Sequence, residues 1–438
     1  MQRRVVITGL GAVTPLGVGV EPLWEGLLAS QSRLARIERF DPSGFPCRLA
    51  GEVRNFQAKD HVPKHYRKAV KVMARDIELA VGAAKAAVEH AGVLTRGVIA
   101  EGSTDQPTYS PSRLGCHIGA GLIAAETDEL TSALATARDP DGDLSLALWG
   151  ERGMGNLQPL WLLKYLPNML ACHVTIIHDA QGPSNTITCA EASGALSIGE
   201  SMRVIERGDA DLCFSGGAES KINLMGLLRM DLAGRLAHTA DETDGARIVR
   251  PYDPKAPGGI LGEAGGILLL ESFDTARARG ARICAELVGF GAGQSPRSDI
   301  PAARAEGLTA AIEAALEDAG VRAPEIDAII PHASGIRDVD AEEAAALRAV
   351  FGSRLADIPL VTLTPNIGDA MAGGAGVAAC VAATCIQRQA LPPRIHAGSP
   401  EHDLQAGASP HRDARLRHVL VCSNALGGQN AALIMRAV

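Results

Sequence analysis

Aromatic residues are scarce in this chain: 7 Phe, 4 Tyr and 3 Trp occur among 438 residues. Because 46% of the residues are hydrophobic and 48 are glycine, we expect a large core built from aliphatic side chains and closely spaced backbones. No run of about 18 consecutive apolar residues occurs, which excludes a membrane-spanning helix. The N-terminal residues enter a predicted strand at once, without the pattern of an export or transit signal. We therefore expect a cytoplasmic protein.

Excess positive charge and paired cysteines are also missing. The net charge of −8 gives no reason to expect a nucleic-acid partner, although an acidic protein could still dock on a local basic patch. The nine cysteines form no CxxC pair, so the sequence predicts reduced core cysteines and no metal site.

The most informative stretch is Gly182–Glu200. The β-branched Thr186 and Thr188 predict a strand, the small residues that follow predict a sharp turn, and apolar residues at helical spacing follow. A side chain at such a turn points into a pocket, beside the free N–H groups of the new helix, which stabilise negative charge.

This stretch resembles the nucleophile elbow of the β-ketoacyl-[acyl carrier protein] synthases, the condensing enzymes of the thiolase superfamily. The resemblance continues in the strand and glycine loop that begin at Arg4, in residues 207–219 and in residues 251–271, and it covers nearly the whole chain. It is strongest towards the elongating type II enzymes. It implies an α/β, thiolase-like fold with two duplicated βαβαβ-type halves in a five-layer αβαβα arrangement.

Weak internal repetition agrees with such a duplication. Amphipathic helices are predicted over 68–92 and 308–321, and they end in Ala-Gly-Val around Gly92 and Gly320. Chance similarity of two alanine-rich helices is the alternative. We expect an N-terminal half over 1–250 and a C-terminal half over 251–438. The extra segment at about 100–170 is apolar, and the resemblance places it over the pocket and at a dimer interface.

The cysteine that carries the acyl chain in this family is replaced. Counted from the motifs on either side, its position is Glu191, and the nearest cysteine, Cys189, lies two residues earlier. A glutamate is a poor acyl carrier, because its acylated product would be an anhydride exposed to water. The resemblance therefore predicts that ordinary condensation is lost.

Other active-site positions are partly kept. The catalytic histidine of the family corresponds to His332, and the matching Asp340 and Glu343 follow it. The family's lysine corresponds to Thr364 and its second histidine to Asp369. The gating Phe, whose N–H serves the oxyanion hole, corresponds to Leu426, and the rest of that loop is kept as Gly427, Gly428 and Asn430. These positions predict Glu191, His332 and Asp369 at the chemical centre, with Thr364 and the 426–430 loop contacting substrate.

Three functions remain open from the sequence. The first is a non-condensing subunit resembling the chain-length factors of type II polyketide systems, paired with a cysteine-containing ketosynthase. The second is an altered enzyme, such as a malonyl-thioester decarboxylase or acyltransferase, that uses Glu191, His332 and Asp369 as an acid/base set. The third is a scaffold that binds an acyl chain without turnover. In each case the resemblance implies an acyl carrier protein as partner, a homodimer or heterodimer, and no cofactor beyond the phosphopantetheine that delivers the acyl group.

Overall fold

The computed structural model describes residues 3–239, 241–296 and 304–438. Its strands are β1 (Val5–Thr14), β2 (Gly17–Val18), β3 (Leu34–Arg36), β4 (Leu49–Gly51), β5 (Leu114–Gly119), β6 (Ser184–Ile187), β7 (Leu212–Glu219), β8 (Ala264–Ser272), β9 (Ala285–Gln294), β10 (Ala328–Ile330), β11 (Ala390–Leu391), β12 (Arg412–Asp413), β13 (His418–Asn424) and β14 (Gln429–Arg436). Its α-helices are α1 (Val20–Leu28), α2 (Arg75–Ala91), α3 (Thr127–Thr136), α4 (Leu146–Leu148), α5 (Trp161–Lys164), α6 (Met169–His178), α7 (Ser193–Glu206), α8 (Leu224–Leu232), α9 (Phe273–Ala278), α10 (Ala305–Ala319), α11 (Arg337–Phe351), α12 (Thr364–Ile367) and α13 (Ala372–Arg388).

The main sheet has the order β10-β13-β14-β9-β1-β8-β7-β5-β6. Its first part runs from β6 to β1 and includes β8 (Ala264–Ser272), and its second part runs from β9 to β10. The two parts are joined where Val5, Val6 and Ile7 of β1 pair antiparallel with residues 285–287 of β9. One mixed sheet therefore links the two halves of the chain.

Helices cover this sheet in layers. Helix α2 packs on β1 and β8 at one outer face, and α10 packs on β9 and β14 at the other. Helices α7 and α13 contact each other and strands of both sheet parts, so they form the middle layer. Together these layers give the five-layer αβαβα arrangement of a thiolase-like fold, as the sequence predicted.

The two outer helices pack on glycines in equivalent ways. A Cβ added to Gly11 of β1 would lie 2.0 Å from the carbonyl oxygen of Ala83 in α2. A Cβ added to Gly291 of β9 would lie 2.0 Å from the carbonyl oxygen of Ala311 in α10. Both strands need glycine because the backbone of the covering helix lies so close to them. The glycine-rich strands and alanine-rich helices of the two halves therefore pack in the same way.

Both predicted helices end where expected, but the first begins later. Gly92 and Gly320 adopt left-handed conformations with φ of 62° and 61° after the last helical residue. Residues Lys64–Val72 form a 3-10 helix instead of the start of α2, which begins at Arg75. Met73 and Ala74, which lie between the two helices, are buried and extended, so the helical backbone is interrupted there.

The elbow forms as predicted between β6 and α7. Ala190 has a φ of 46°, in the left-handed region, and a 3-10 turn over Ala190–Ala192 leads into α7 at Ser193. The Ser193 hydroxyl accepts a hydrogen bond from the Cys189 N–H at 2.8 Å and donates one to the Ala190 carbonyl at 2.6 Å. These bonds fix the turn, and the turn aims the Glu191 side chain inwards.

The segment predicted at about 100–170 includes β5, which is an interior strand of the sheet, and then leaves the sheet. Its later part holds the short helices α3, α4 and α5 and exposes large apolar side chains. More than half exposed are Leu122, Leu144, Leu146, Met154, Leu160 and Leu162. Within the described residues, none of the helices is both long and apolar enough to cross a membrane.

Candidate functional site

Five chain segments from both halves meet below the elbow. They supply Glu191 before α7, Arg235 after α8, His332 after β10, Asp369 between α12 and α13, and Leu426 between β13 and β14. Because the segments are far apart in sequence, only the folded sheet and its middle helix layer bring them together.

Glu191 lies at the centre of this site and is 1% exposed. Its Oε1 accepts a hydrogen bond from Nη2 of Arg235 at 2.6 Å, and its Oε2 accepts one from the N–H of Leu426 at 3.1 Å. The Ser423 hydroxyl donates to the main-chain carbonyl of Glu191 at 2.8 Å. Both carboxylate oxygens are therefore engaged by the protein itself.

Arg235 places a guanidinium in the site, and the sequence analysis missed it. Only 3% of the side chain is exposed, and its Nη2 lies 3.8 Å from Oδ2 of Asp369 as well as bonding Glu191. A lone arginine in the loop after α8 carries no local signal. The available clue was chemical, since a glutamate buried at the elbow requires a buried positive partner.

His332 is held between an amide and a carboxylate. Its Nδ1 donates to Oδ1 of Asn424 at 2.6 Å, and its Nε2 lies 3.4 Å from Oδ2 of Asp369. The main-chain N–H of His332 donates to Glu343 at 2.9 Å, which fixes the loop after β10. The role of Asn424 as the partner of the histidine became visible only in the structure.

The pKa values of His332 and Asp369 shift in opposite directions. Burial by itself lowers the pKa of His332, but the carboxylates of Asp369, Glu191 and Glu343 outweigh it and hold that pKa well above its usual range. Burial by itself raises the pKa of Asp369, but His332 and then Arg235 outweigh it and hold that pKa below its usual range. The pair is therefore an imidazolium beside a carboxylate at neutral pH.

Thr364 and the other oxygen of Asp369 support the backbone. The Thr364 hydroxyl donates to the carbonyl of Ala333, next to His332. Oδ1 of Asp369 accepts the N–H of Met371 at 2.9 Å. Thr364 thus lies beside the site but bonds the main chain, and Asp369 both faces His332 and fixes the turn that begins α13.

The other residues that were predicted to contact substrate, Gly427, Gly428 and Asn430, support the turn that carries Leu426. Asn430 is 1% exposed, and its Nδ2 donates to the carbonyl of Gly428 at 2.8 Å and to the hydroxyl of Ser295 at 2.9 Å. Gly428 has a φ of 86°, which a side chain would strain, and Gly427 is exposed. These residues shape the turn that presents the Leu426 N–H, and Asn430 does not itself contact the charged centre.

The nearest cysteine does not take the nucleophile's place. Cys189 is half-buried, burial raises the pKa of its thiol, and its side chain makes no hydrogen bond with any residue that the structure describes. Glu191, and not Cys189, directs its side chain to Arg235 and the Leu426 N–H. In the same described ranges, no group of three or more His, Cys, Asp or Glu side chains is placed to hold a metal ion.

Two cavities flank the centre. A mostly apolar cavity of about 360 Å³ is bordered by Leu122, Pro167, Thr188, Met230 and Leu426, among others. A smaller one of about 30 Å³ lies beside His332, Asp369 and Thr364. The larger cavity has the size and lining of a small-molecule site, whereas the smaller one has room only for water.

Comparison with known families agrees with this fold. Residues 2–276 match the β-ketoacyl synthase N-terminal domain, and residues 284–398 match the β-ketoacyl synthase C-terminal domain. The chain therefore belongs to the β-ketoacyl synthase family.

Its relatives match it from end to end. The chain is 31% identical over 437 residues to 3-oxoacyl-[acyl-carrier-protein] synthase 2 of Staphylococcus aureus (strain COL), covering 99% of this chain and 98% of that protein. It is 31% identical over 440 residues to the protein of the same name from Vibrio cholerae, covering 99% of each chain. Among solved structures, the ishigamide ketosynthase/chain length factor aligns over the whole of both chains with a TM-score of 0.83 and 28% identity. The fold is that of the thiolase-superfamily ketosynthases, and the protein is similar to proteins of fatty-acid and polyketide synthesis.

Proposed function

We propose that this protein is a non-condensing member of the family, resembling a chain-length factor, that works beside a cysteine-containing ketosynthase. One observation carries the proposal. Glu191 occupies the nucleophile's position, and its carboxylate binds the Leu426 N–H that the family resemblance assigns to the oxyanion hole. The protein's own side chain takes the place of the substrate's developing negative charge.

Condensation has three steps that each need a particular chemical group, and in this protein each of these groups is replaced or already bonded. Acyl transfer needs a nucleophile, and Glu191 is a carboxylate already paired with Arg235. Stabilising the carbanion needs hydrogen-bond donors, and Asp369, a carboxylate, accepts at the position of the family's second histidine. The oxyanion hole needs a free N–H, and that of Leu426 is already donated.

The altered-enzyme alternative is less well supported by the same contacts. A general base must present an open lone pair to the substrate. Both oxygens of Glu191 are bonded within the protein, Asp369 faces His332 and Met371, and His332 carries its proton. Acid/base chemistry here would first require the ion pairs to separate.

Two features support a ketosynthase-like second subunit. Strand β6 ends the sheet, so its outer edge has backbone groups free to pair with another strand. The same half of the chain exposes six large apolar side chains of the 122–162 segment, and such a concentration of exposed apolar residues is typical of an interaction site. A related subunit would both extend the sheet at β6 and cover those leucines.

A carrier protein is the expected source of the acyl group. The 3-10 helix Lys64–Val72 exposes Lys64, His65, Arg67, Lys68 and Lys71, and none of them forms an ion pair with a residue that the structure describes. An acidic protein bearing phosphopantetheine fits such a surface by charge. No cofactor held by the chain itself is then required, and the apolar 360 Å³ cavity would contact the acyl chain.

The test is co-expression with a cysteine-containing ketosynthase encoded beside this protein. We expect a stable complex by co-purification and sedimentation, and condensation of acyl- and malonyl-carrier substrates only by the complex. Leu146→Glu, at a side chain that is 80% exposed in the 122–162 segment, should weaken the complex. Val438→Glu, at an exposed residue of the other half, is the matched control.

The purified chain alone separates the proposal from the alternative. Mass analysis of malonyl- and acyl-carrier substrates should show no product with the wild type or with Glu191→Ala. A product made by the wild type and lost in Glu191→Ala would contradict the proposal and establish the altered enzyme.

A further inference from the structure

Three cavities meet around a single residue, Met371. It borders the apolar 360 Å³ cavity, the 30 Å³ cavity beside His332, and a third of about 10 Å³ beside Arg235. Met230 borders the first and the third. These two methionines therefore stand between the apolar cavity and the charged centre.

Met371 has a backbone conformation that is unusual for a residue with a side chain. Its φ of 50° and ψ of −125° put it at the second position of a tight turn, closed by the Gly373 N–H donating to the Ala370 carbonyl at 3.0 Å. That position of this turn type normally requires glycine, because a Cβ is strained there. A methionine is thus kept where glycine would be easier.

Two buried carboxylates hold the strained turn. Asp369 accepts the N–H of Met371, and Glu219 accepts the N–H of Ala372, each at 2.9 Å. Glu219 is itself fixed by an ion pair with Lys221. Strain persists only where the surroundings over-determine it, and here two charged side chains from different parts of the chain do so.

The side chain that results is placed in an apolar cluster. Met371 is 5% exposed and packs in the cluster that contains Met230, Leu236 and Leu261. A methionine side chain is unbranched and adaptable, so it can close a gap between cavities without the rigid fit of a branched residue.

We propose that Met371 is the gate that ends the acyl chain in the apolar cavity and sets the longest chain this protein accepts. The inference rests on the proposed function, in which that cavity contacts an acyl chain. Each methylene buried in the cavity tightens binding about fourfold until the chain reaches Met371, beyond which further methylenes stay outside or must displace it. Removing the side chain joins the cavities and moves this limit outwards.

The experiment measures dissociation constants of acyl-pantetheine thioesters, from hexanoyl to hexadecanoyl, for the full-chain protein by calorimetry. For the wild type we expect affinity to rise with length and then level off. In Met371→Ala the levelling should occur at least two methylenes later. Met371→Leu, which keeps the volume and the strained backbone, is the matched control and should level off with the wild type.

The results separate a failure of the gate from a failure of the acyl site. If Met371→Ala levels off at the wild-type length, the gate is wrong although the acyl site stands. If wild-type affinity does not depend on chain length, the acyl site of the proposed function and the gate are both wrong. Should Met371→Ala not fold, Met230→Ala opens the same wall towards Arg235 and must lengthen the accepted chain, or the gate is again wrong.

Discussion

The guanidinium of Arg235 faces both carboxylates at the centre of this site, and the His332 imidazolium beside Asp369 supplies a second positive charge. Arg235 bonds Glu191 at 2.6 Å and lies 3.8 Å from Asp369, and all three side chains are buried. Charges in such surroundings are tolerated only when paired, because removing them from water costs several kcal/mol each. The centre is therefore a closed set of ion pairs, which is consistent with a structural role.

Removing one partner of this set should be more damaging than removing both. We expect Arg235→Met to lower the free energy of unfolding by about 3–5 kcal/mol, because Glu191 is left buried and unpaired. The double variant Arg235→Met, Glu191→Leu should lose much less than the sum of the single losses. Urea unfolding of the four proteins measures this coupling.

An exposed ion pair, tested with the same set of single and double variants, provides the control. Arg54 and Glu38 lie 3.1 Å apart at the surface, and their coupling should stay below about 1 kcal/mol. Additive losses at Arg235 and Glu191 would show that the buried pair is not a unit.

At the scale of elements, the start of α13 is the place where local preference and tertiary structure disagree. The turn of Ala370–Gly373 calls for glycine at its second position and contains Met371, held there by Asp369 and Glu219. Sequence reasoning identified this stretch by resemblance and aligned Asp369 with a lost histidine. That Asp369 also holds a strained backbone could not be read from the order of residues.

Because of this strain, we expect glycine to be more stabilising than alanine at position 371, the opposite of the usual order within a helix. Met371→Gly should be more stable than Met371→Ala by about 1 kcal/mol, because both lose the side chain but only glycine relieves the positive φ. At Ala382 in the interior of α13, glycine should instead cost about 1 kcal/mol. Urea midpoints of these variants check the sign, and an alanine variant at 371 as stable as the glycine one would remove the argument for strain.

Other elements were predictable because their signals are local. Helices α2 and α10 follow from apolar spacing and a glycine stop, and the elbow from β-branched residues followed by small ones. The start of α2 was wrong by several residues, because the basic stretch before it shares the helical spacing but forms a 3-10 helix. The spacing alone does not reveal that the buried Met73 and Ala74, between this stretch and α2, are extended.

At the scale of the whole molecule, stability towards acid depends on buried groups that titrate in opposite directions. Burial lowers the pKa of His117 and His173 to about 4 and that of His178 to about 3. The stability that these histidines contribute is complete above about pH 6.5, their unfolded value, and is lost as pH falls through the folded values. Burial raises the pKa of Asp76 and Asp340 to about 7, so their contribution is complete below about pH 4 and is lost as pH rises.

A single substitution can isolate the contribution of one buried histidine, His178, to the pH dependence of stability. His178, the last residue of α6, is buried against Phe214 of β7, and its Nδ1 lies 2.7 Å from the Thr95 hydroxyl. Between pH 7.5 and pH 5 the wild type should lose about 2 kcal/mol of unfolding free energy relative to His178→Gln, since the unfolded histidine binds a proton and the folded one does not. Chemical unfolding at several pH values measures the difference, with His65→Gln at an exposed histidine as control. A pH-independent difference would contradict the buried neutral histidine.

The sequence by itself determined the family fold and its duplicated halves, because the order of its motifs along the chain carries the family resemblance and strand, helix and turn signals are local properties of the chain. Only the tertiary structure decided what Glu191 does. Its partners Arg235 and Leu426 lie 44 and 235 residues away along the chain, and nothing near either residue signals the contact. Contacts of that kind depend on how the two halves pack around α7 and α13, so the bond from the Leu426 N–H to Glu191 and the position of Met371 between three cavities form only when the chain is folded.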